Sequence, residues 1–403
     1  MEKKECCCSC GNGAVSQAIK DTEAVMVYQA DKEAASLLSC GKETFEMGQT
    51  HRLTGSAAAN WELHKEIINA AIEGGWNNTV HPWANDRKDF WRYPLAFSSY
   101  GIPSLIMIDN NKYEEGINCL RKSILLFKDI GIWDEWVRCG FGKEPITSKN
   151  VMYKGHLNLL YSLYELMTGD DQFEAEFQSL MEVIASEYEN NLRNRGFCMI
   201  ECEPDQCFVP CNSMALMSML IYDIIYGTDY KEKYVKPAIE FIKRKVTDPE
   251  TKMPFIRYHP SHDYSEAVIT GDGWTLGMCH IMEPEHFEEA FNSYKREFFC
   301  DIRKGKACYL KASRDSLGVS TDYEQQTWGY YVPFAAKEYG ALELWEKTNR
   351  YFRELYGTEI EDGKLKFTAG TKGDETLISC YLFLGDVHQG WQNILEYDWK
   401  KFW

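Results

Sequence analysis

A helical period of apolar residues, repeated along most of the chain, is the sequence feature that most constrains the fold. Apolar side chains recur every three or four residues in seven segments, which places them on one face of a helix. These segments are residues 56–72, 113–127, 152–167, 173–188, 213–226, 234–246 and 342–356. Alternating runs of β-branched residues, which are typical of strands, are few. We therefore predict an all-α protein.

A weak internal repeat indicates how these helices are arranged. Three similar segments each place a glycine between the end of one helix and the start of the next, at Gly169, Gly227 and Gly340. The second interval between these glycines is about twice the first. About six helical hairpins of this length would fill most of the 403 residues. The repeat predicts hairpins that are stacked or closed into a circle.

Charge and composition argue against some binding partners and indicate the cellular compartment. A net charge of −17 argues against nucleic acid and against an anionic membrane surface. No run approaches the roughly 18 apolar residues of a membrane span, and the N-terminus lacks the apolar core of a secretory signal. We expect a cytoplasmic protein in which the 15 cysteines are reduced thiols.

The cysteine cluster at residues 6–10 needs its own interpretation. Adjacent cysteines can bind soft metals or accept acyl chains, but their spacing matches no common zinc site, and a flexible tail explains them as well. We expect residues 1–14 to be disordered and residues 15–403 to form a single domain.

Two segments supply a set of proton-transferring side chains. Residues 150–161 read Asn-Val-Met-Tyr-Lys-Gly-His-Leu-Asn-Leu-Leu-Tyr, and residues 201–212 read Glu-Cys-Glu-Pro-Asp-Gln-Cys-Phe-Val-Pro-Cys-Asn. His156 lies on an apolar helix face, where a histidine of the core would also fit. With Cys202 and Cys211 it could donate and accept protons without a metal or organic cofactor. Buried cysteines that pack as small hydrophobic residues are the alternative.

The thiols of Cys202 and Cys211 are predicted to differ in pKa. Asn212 is a candidate N-cap for a helix from Ser213, and Pro204 and Pro210 discourage helix before it. Cys211 would then lie at the positive end of a helix dipole, which lowers a thiol pKa, whereas Glu203 beside Cys202 would raise one. Cys207 lies between them, and we interpret it as structural. Spacings of five and four residues do not fit a zinc knuckle.

These segments resemble the signature of the linalool dehydratase/isomerase family. The similar stretches are Met-Tyr-Lys-Gly-His at residues 152–156 and Cys-Glu-Pro-Asp at 202–205, followed by Phe-Val-x-Cys-Asn at 208–212. Further collinear matches cover most of the chain after about residue 89. They are Arg92-Tyr93, Ala96-Phe97, Tyr100-Gly101, Gly140-Phe141-Gly142, Gly227-Thr228-Asp229-Tyr230, Tyr258-His259-Pro260, Trp274-Thr275-Leu276 and Met278.

The resemblance implies a fold, a reaction and a site. The fold is an (α/α)6 barrel, and the reaction is reversible dehydration and allylic rearrangement of a terpene alcohol. His156, Cys202 and Cys211 are the implied catalytic residues. The positions in or beside the pocket are Met152, Glu203, Phe208 and Trp274. The substrate is a small hydrophobic alcohol or alkene, and the assembly is a ring-shaped homo-oligomer, with a pentamer as the expectation.

Two departures from the family pattern affect the expected substrate. The family's Asp and Tyr from a neighbouring subunit have no counterpart in residues 61–83, although His81 and Asp86 lie close by. Thr270 stands where the family has a pocket tyrosine. Asp272 is a new carboxylate, interpreted either as a solvated loop residue or as a substrate contact or acid/base group. We expect an alkenol related to linalool.

Two other functions remain open at this stage. A carbohydrate-active (α/α) barrel, either an epimerase or a hydrolase, would use carboxylates such as Glu203, Asp205 and Asp272. A helical toroid that binds an apolar ligand without catalysis is the third interpretation. Sugar chemistry needs no thiols, so the register of Cys202 and Cys211 favours the lyase/isomerase.

Overall fold

Helices dominate the computed structural model of the protein. It describes residues 55–74, 92–128, 137, 140, 143, 146, 149–266, 272–302, 306–309, 312–314, 320–322, 331–368 and 375–403. The longer α-helices are α1 Gly55–Gly74, α2 Arg92–Ile108, α3 Tyr113–Phe127, α4 Val151–Thr168, α5 Glu174–Asn190, α6 Val209–Tyr226, α7 Lys236–Lys245, α8 Asp272–Cys279, α9 Pro284–Phe298, α10 Val332–Glu338, α11 Leu342–Tyr356, α12 Glu375–Val387 and α13 Trp391–Glu396. The proposed tail, the cysteine cluster, His81, Asp86 and Thr270 lie outside the described residues.

Six helices form a closed inner ring. Helix α2 packs against α4, α4 against α6, α6 against α8, α8 against α10, α10 against α12, and α12 returns to α2. The intervening helices α1, α3, α5, α7, α9 and α11 alternate with these inner helices along the chain. The protein is therefore an (α/α)6 barrel, and the predicted closure of helical hairpins into a circle is confirmed.

Burial separates inner from outer helices. Helix α4 buries all its residues except Glu165 and Thr168, and α2 is buried from Arg92 through Ile106. Outer helix α5 instead buries one stripe at helical spacing, namely Phe177, Leu180, Met181, Ile184, Ala185 and Tyr188. An inner helix contacts protein on all sides, whereas an outer helix needs only one apolar face.

Glycines end inner helices at equivalent points. Gly169 caps α4 and Gly227 caps α6, with φ of 60° and 66° in the left-handed region that glycine adopts without strain. Gly340, after α10, has φ of 64°. Each outer helix then leads the chain back, so the inner helices run in the same direction. Their N-terminal ends consequently meet at one end of the barrel.

Short strands form hairpins beside the helix ring. They are β1 Cys207–Phe208, β2 Arg257–His259, β3 Tyr264–Glu266, β4 Phe299–Ile302, β5 Lys306–Tyr309, β6 Ala312–Arg314, β7 Ser320–Asp322, β8 Thr358–Glu361 and β9 Lys364–Phe367. The three-stranded antiparallel sheet β1-β2-β3 matters most for the site. It pairs Cys207 with Tyr258 and Phe208 with Arg257, which fixes the chain directly before α6.

Periodicity predicted the outer helices better than the inner ones. The bounds of α3 and α11 agree with the prediction at both ends. The inner helices α2, α8, α10 and α12 were not predicted, because a helix that is buried all round has no polar face to reveal its period. The outer helix α9 and the short α13 were not predicted either. Pro103 inside α2 also disguised it. Helix α6 is long and apolar enough to cross a membrane by length and composition, and 78% of it is buried inside the fold.

The start of α6 corrects two expectations. The helix begins at Val209 with Phe208 as its N-cap, so Asn212 is not the cap. Pro210 lies in the first turn, where a missing backbone N–H removes no helical hydrogen bond. Cys211 still lies in that first turn, near the positive end of the helix dipole.

Gly155 allows α4 and α6 to touch through their backbones. A Cβ added at Gly155 would lie 3.1 Å from the Ala215 backbone nitrogen and 3.3 Å from the Cys211 carbonyl oxygen. Side chains larger than hydrogen therefore cannot be accommodated there without moving one helix. This contact sets the distance between the two helices that bear His156 and Cys211.

A buried carboxylate joins the last turn of α10 to two other parts of the barrel. Glu338 accepts hydrogen bonds from His280 at 3.0 Å, from His388 at 2.7 Å and from the Trp391 backbone N–H at 2.9 Å. Burial alone would raise the pKa of Glu338, but the hydrogen bonds from the two histidines hold it below its ordinary value. The carboxylate is therefore ionised in the folded protein and ties the end of the chain to the inner ring.

Replacing Gly155 with valine should force α4 and α6 apart. Overpacking of this kind typically costs about 1–3 kcal/mol. We expect urea unfolding of Gly155→Val to show a loss of that size. The matched control is Gly55→Val, because an added Cβ there meets no described atom within 4 Å. Equal stability of the two variants would contradict the close helix contact.

Glu338→Gln should lower stability at neutral pH by about 1–3 kcal/mol, because a buried acceptor is replaced by a partly mismatched amide. The folded pKa of Glu338 is lower than its unfolded pKa, so its stabilisation is complete above about pH 4.5 and is lost as pH falls below that value. The free energy of unfolding should therefore fall less in the variant than in the wild type as the pH is lowered. Glu232→Gln, which removes an exposed ion pair with Lys236, is the control and should change little.

Candidate active site

The sulfurs of Cys202 and Cys211 lie 3.5 Å apart and are buried. This distance exceeds the roughly 2.05 Å of a disulfide bond, so both residues are thiols. Cys202 lies in the loop after α5, and Cys211 lies in the first turn of α6. The sequence placed these cysteines nine positions apart, and the fold brings their side chains into contact.

Tight hydrogen bonding within the loop holds Cys202 in place. The Cys202 N–H donates to the Gln206 carbonyl at 2.8 Å, and the Gln206 N–H donates to the Glu203 carbonyl at 2.9 Å. Asp205, at the turn, has a positive φ of 62° and accepts two hydrogen bonds from Ser261, at 2.7 and 2.6 Å. The loop is thereby anchored to the segment between β2 and β3.

Glu201 anchors the start of this loop. Its buried carboxylate accepts from Arg195 at 2.8 Å, from Lys149 at 3.0 Å and from the Asp205 N–H at 2.9 Å. Burial would raise the pKa of Glu201, but these bonds hold it below its ordinary value. An ionised carboxylate next to Cys202 is thus occupied by structural partners.

Asn212 connects the loop to α6. Its amide nitrogen donates to the carbonyls of Ile200 and Phe208 at 3.0 and 2.8 Å, and its oxygen accepts from the Ile200 N–H and the Tyr188 hydroxyl, both at 2.8 Å. These four hydrogen bonds use both donors and both acceptor positions of the buried Asn212 amide. Asn212 therefore holds the strand of chain before Cys202 against the helix that bears Cys211.

His156 is fully buried on α4 and is neutral. Its Nδ1 hydrogen-bonds the Tyr100 hydroxyl at 2.5 Å, and its Nε2 has no hydrogen-bond partner among the described residues. Burial, with a smaller effect of the Arg92 charge, lowers the pKa of His156 well below its ordinary value. Burial also raises the pKa of Tyr100 well above its ordinary value, so its hydroxyl stays protonated. A neutral imidazole can accept a proton or donate a hydrogen bond.

Aromatic rings surround His156. Among the described residues, five ring centres lie within 6.3 Å of the imidazole centre, those of Tyr93, Phe97, Tyr100, Phe127 and Trp274. Tyr100 stacks on it with an interplanar angle of 14°. The described surroundings of the imidazole are thus largely apolar, which explains the lowered pKa and strengthens any hydrogen bond formed there.

The sequence-predicted site residues fall into two groups. In the first, the Tyr93 hydroxyl donates to the Met152 sulfur at 2.9 Å, and the Tyr93 ring lies 5.9 Å from His156 and 6.1 Å from Trp274. The structure therefore brings Met152, His156 and Trp274 together around Tyr93.

The second group is the thiol pair and its flanking residues. Glu203 is buried and accepts from the Gln206 side chain at 2.9 Å. Phe208 is buried under the guanidinium of Arg257, which lies 5.2 Å from its ring centre. Burial raises the pKa of Cys207 well above its ordinary value, in keeping with a structural thiol.

Two contacts join the groups. Gly155, next to His156, packs on the Cys211 carbonyl, as described above. The indole N–H of Trp274 points to the sulfur of Met214 at 2.9 Å, one helical turn after Cys211. Asp272 is the first residue of α8 and lies two positions before Trp274, so its backbone belongs to the same end of the barrel.

The described part of the chain contains no set of side chains arranged as ligands for a metal ion. No group of three or more His, Cys, Asp or Glu side chains there is placed to hold a metal ion. The arrangement that is present consists of two thiols, a neutral imidazole and a hydroxyl, which are all groups that exchange protons.

Sequence reasoning gave no role to several residues of this region. Tyr100 could have been found, because Tyr93, Phe97 and Tyr100 recur at helical spacing as an aromatic stripe. Tyr331 lies directly before α10 and Tyr381 lies in α12, and their hydroxyls are 2.6 Å apart. No local motif marks these two, since only closure of the barrel brings residues so distant in sequence together.

Comparison with known families decides the relationship. The family model for linalool dehydratase/isomerase matches residues 132–372, which is more than half of the chain. The chain belongs to this family. The matched range contains His156, Cys202, Cys211 and Trp274, and the resemblance that the motifs predicted is confirmed.

Solved structures share the barrel at low sequence identity. An inactive variant of an α-1,6-mannanase of Salegentibacter sp. HEL1_6, in complex with α-1,6-mannotriose, is 14% identical, with a TM-score of 0.52, and the match covers 83% of this chain and 98% of that one. A glycoside hydrolase from family 105 of C. acetobutylicum ATCC 824 is 12% identical, also with a TM-score of 0.52, over 80% and 98% of the two chains. These similarities support the (α/α)6 fold.

Asn212→Ala should loosen the link between the two thiols. The change leaves the buried Ile200 N–H and carbonyl without their partner, at a cost of about 1–3 kcal/mol. We expect faster alkylation of Cys202 and Cys211 by iodoacetamide, measured site by site by peptide mass spectrometry. Asn194→Ala is the control, since Asn194 bonds only Asn190 at the surface among the contacts described. Unchanged labelling in Asn212→Ala would contradict its linking role.

Proposed function

We propose that this protein is a lyase/isomerase that reversibly dehydrates or isomerises an unsaturated, terpene-like alcohol. Cys202, Cys211 and His156 serve as the proton donors and acceptors. The observation that supports this most directly is the 3.5 Å contact between two buried thiols, at the positions that match the family motif. Membership of the linalool dehydratase/isomerase family points to the same class of reaction.

The reaction needs an acid and then a base. Hydroxide leaves poorly, so a proton must reach the alcohol oxygen as the C–O bond breaks, which releases water and leaves an allylic cation. Loss of a proton from a carbon next to the cation gives a diene. Alternatively, water returns at the other end of the allyl system and gives its extra proton back to the thiolate that supplied the first one, which gives the isomeric alcohol. One thiol supplies the first proton, and the second thiol or His156 takes the second. Positioned acid/base groups each contribute about 10² to 10⁴ in rate.

The two thiols can differ in pKa although their sulfurs are in contact. Cys211 lies in the first turn of α6, where the helix dipole favours a thiolate. Cys202 precedes Glu203, and a nearby carboxylate favours the protonated thiol. This asymmetry assigns the base to Cys211 and the acid to Cys202. His156, neutral at physiological pH, can relay a proton through Nε2.

The aromatic surroundings suit an allylic cation. Ring faces attract positive charge, and a shell of rings keeps water from capturing the cation early. Trp274, Met152 and Phe208 would contact the hydrocarbon part of the substrate. Glu203 and Asp272 are the proposed contacts nearer its polar end. The ring-shaped homo-oligomer expected from the resemblance would place such sites near subunit boundaries.

A carbohydrate-active function is less well supported by the acidic residues. Of the carboxylates considered for it, Asp205 accepts two hydrogen bonds from Ser261, and Glu203 accepts one from the side chain of Gln206. Glycoside hydrolysis needs two carboxylates that face each other across the substrate. The thiol pair has no part in that chemistry, so we favour the alkenol reaction.

Removing any of the three proposed groups should abolish most turnover. Gas chromatography of products from linalool and related alkenols should show about 10²- to 10⁴-fold lower rates for Cys202→Ala, Cys211→Ala and His156→Ala. Iodoacetamide should inactivate the wild type, and a bound alkenol should protect it.

Cys207→Ala is the matched control, since this buried cysteine lies between the two in sequence but belongs to the sheet. Its turnover should stay within a few-fold of wild type. Full activity after complete labelling of Cys202 and Cys211 would exclude thiol catalysis. If the untreated protein converts no alkenol, the non-catalytic binding protein becomes the better interpretation.

A further inference from the structure

We propose that the hydroxyl pair of Tyr331 and Tyr381 binds the oxygen of the alcohol substrate. This inference rests on the function proposed above and adds the group that recognises the substrate hydroxyl. The ligand is an alcohol whose oxygen lies among aromatic rings. A hydrocarbon of the same shape would lack the group that the pair recognises.

The pair is buried within the aromatic cluster that contains His156. Both side chains are 2% exposed, and the Tyr331 hydroxyl donates to the Tyr381 hydroxyl at 2.6 Å. The centre of the Phe97 ring lies 5.3 Å from Tyr331, 4.9 Å from Tyr381 and 5.6 Å from His156. One phenylalanine therefore contacts both the hydroxyl pair and the proposed catalytic imidazole.

Trp274 makes a second connection. Its ring centre lies 5.5 Å from that of Tyr331 and 5.6 Å from that of His156. Tyr331 and His156 thus share two neighbours, Phe97 and Trp274. The hydroxyl pair and the imidazole of His156 belong to one continuous cluster.

Backbone packing fixes Tyr331 in this cluster. A Cβ added at Gly273 would lie 2.8 to 2.9 Å from the backbone and Cβ of Tyr331, so the first turn of α8 rests directly on Tyr331. Tyr331 is the residue before α10, and Tyr381 is the middle residue of α12. Tyr331 therefore lies at the end of the barrel where α4, α6 and α8 present His156, Cys211 and Trp274, and Tyr381 reaches it from the middle of its helix.

The chemistry of the pair fits an alcohol oxygen. A hydroxyl that donates a hydrogen bond becomes a stronger acceptor, so the bond from Tyr331 to Tyr381 makes the Tyr331 oxygen a better acceptor. The O–H of the alcohol can donate to this oxygen, because a tyrosine oxygen has two acceptor lone pairs. No covalent bond forms or breaks at either tyrosine; the pair holds the oxygen in place while the thiols and His156 move the protons.

Recognition through a hydrogen bond discriminates strongly between an alcohol and a hydrocarbon. A site built to hydrogen-bond a hydroxyl rejects an analogue that lacks it, because its own polar groups then lose a partner. The alcohol should therefore bind better than the hydrocarbon formed from it by loss of water. That difference would help the hydrocarbon product to leave.

The test compares binding of two probes, so that it does not depend on turnover. Linalool and the triene that it becomes on loss of water are titrated by calorimetry against Cys202→Ala, with and without Tyr331→Phe or Tyr381→Phe. We expect each phenylalanine to weaken linalool binding about tenfold or more, and to change triene binding less than about threefold. Retained triene binding also shows that the variant is folded.

The matched control is Tyr164→Phe, which removes a buried-ring tyrosine hydroxyl that bonds Asp170 at 2.8 Å at the opposite end of α4. Its binding of both probes should be unchanged. An equal loss of both probes in the Tyr331 and Tyr381 variants would indicate packing alone and would overturn the proposal, as would unchanged linalool binding or no linalool binding by the parent.

Turnover separates this inference from the proposed function. If the wild type converts no alkenol but the tyrosine variants selectively lose the alcohol, the recognition site stands and the lyase is wrong. If turnover occurs and the variants bind both probes normally, the lyase stands and the hydroxyl pair has no part in recognition.

Discussion

Direct contact between the backbones of α4 and α6 is the constraint on which the site depends. At Gly155 the two inner helices approach so closely that a Cβ would lie 3.1 Å from a backbone nitrogen. His156 follows this glycine, and Cys211 provides one of the atoms that it contacts. The imidazole and the thiol are therefore positioned by main chain, which is far less adaptable than side-chain packing. The remaining inner helices close the ring around this pair.

Burial gives the proposed catalytic groups their properties. His156 is neutral because aromatic rings replace water around it, and its orientation is set by Tyr100. The carboxylate of Glu201, directly before Cys202, is ionised and is paired with Arg195 and Lys149. The charge beside the thiols is thus balanced, and the imidazole lies in an interior lined by aromatic rings. Such an interior suits a reaction whose cation must not meet water.

The sequence predicts most of the outer helices and the chemical groups, but not how the groups meet. Outer helices such as α3 show an amphipathic period and were predicted to the residue. Inner helices such as α2 are apolar on every face, so no period reveals them. The motifs identified His156, Cys202 and Cys211, whereas Asn212 was misassigned as a cap because a single sequence shows the residue type and not its partners. Tyr331 and Tyr381 meet only when α10 and α12 close the ring, and no local pattern encodes that contact.

Similar barrels occur in enzymes that act on carbohydrates, so the fold alone does not determine the chemistry. In this protein the carboxylates of Glu201, Asp205 and Glu338 hold loops and helix ends together through hydrogen bonds to neighbouring side chains and backbone. The imidazole of His156 and the sulfur of Cys211 lie on the inner helices α4 and α6. A thiol is less polar than a carboxylate and is cheaper to bury in its neutral form, so it can serve as an acid or base in surroundings that also bind a hydrocarbon.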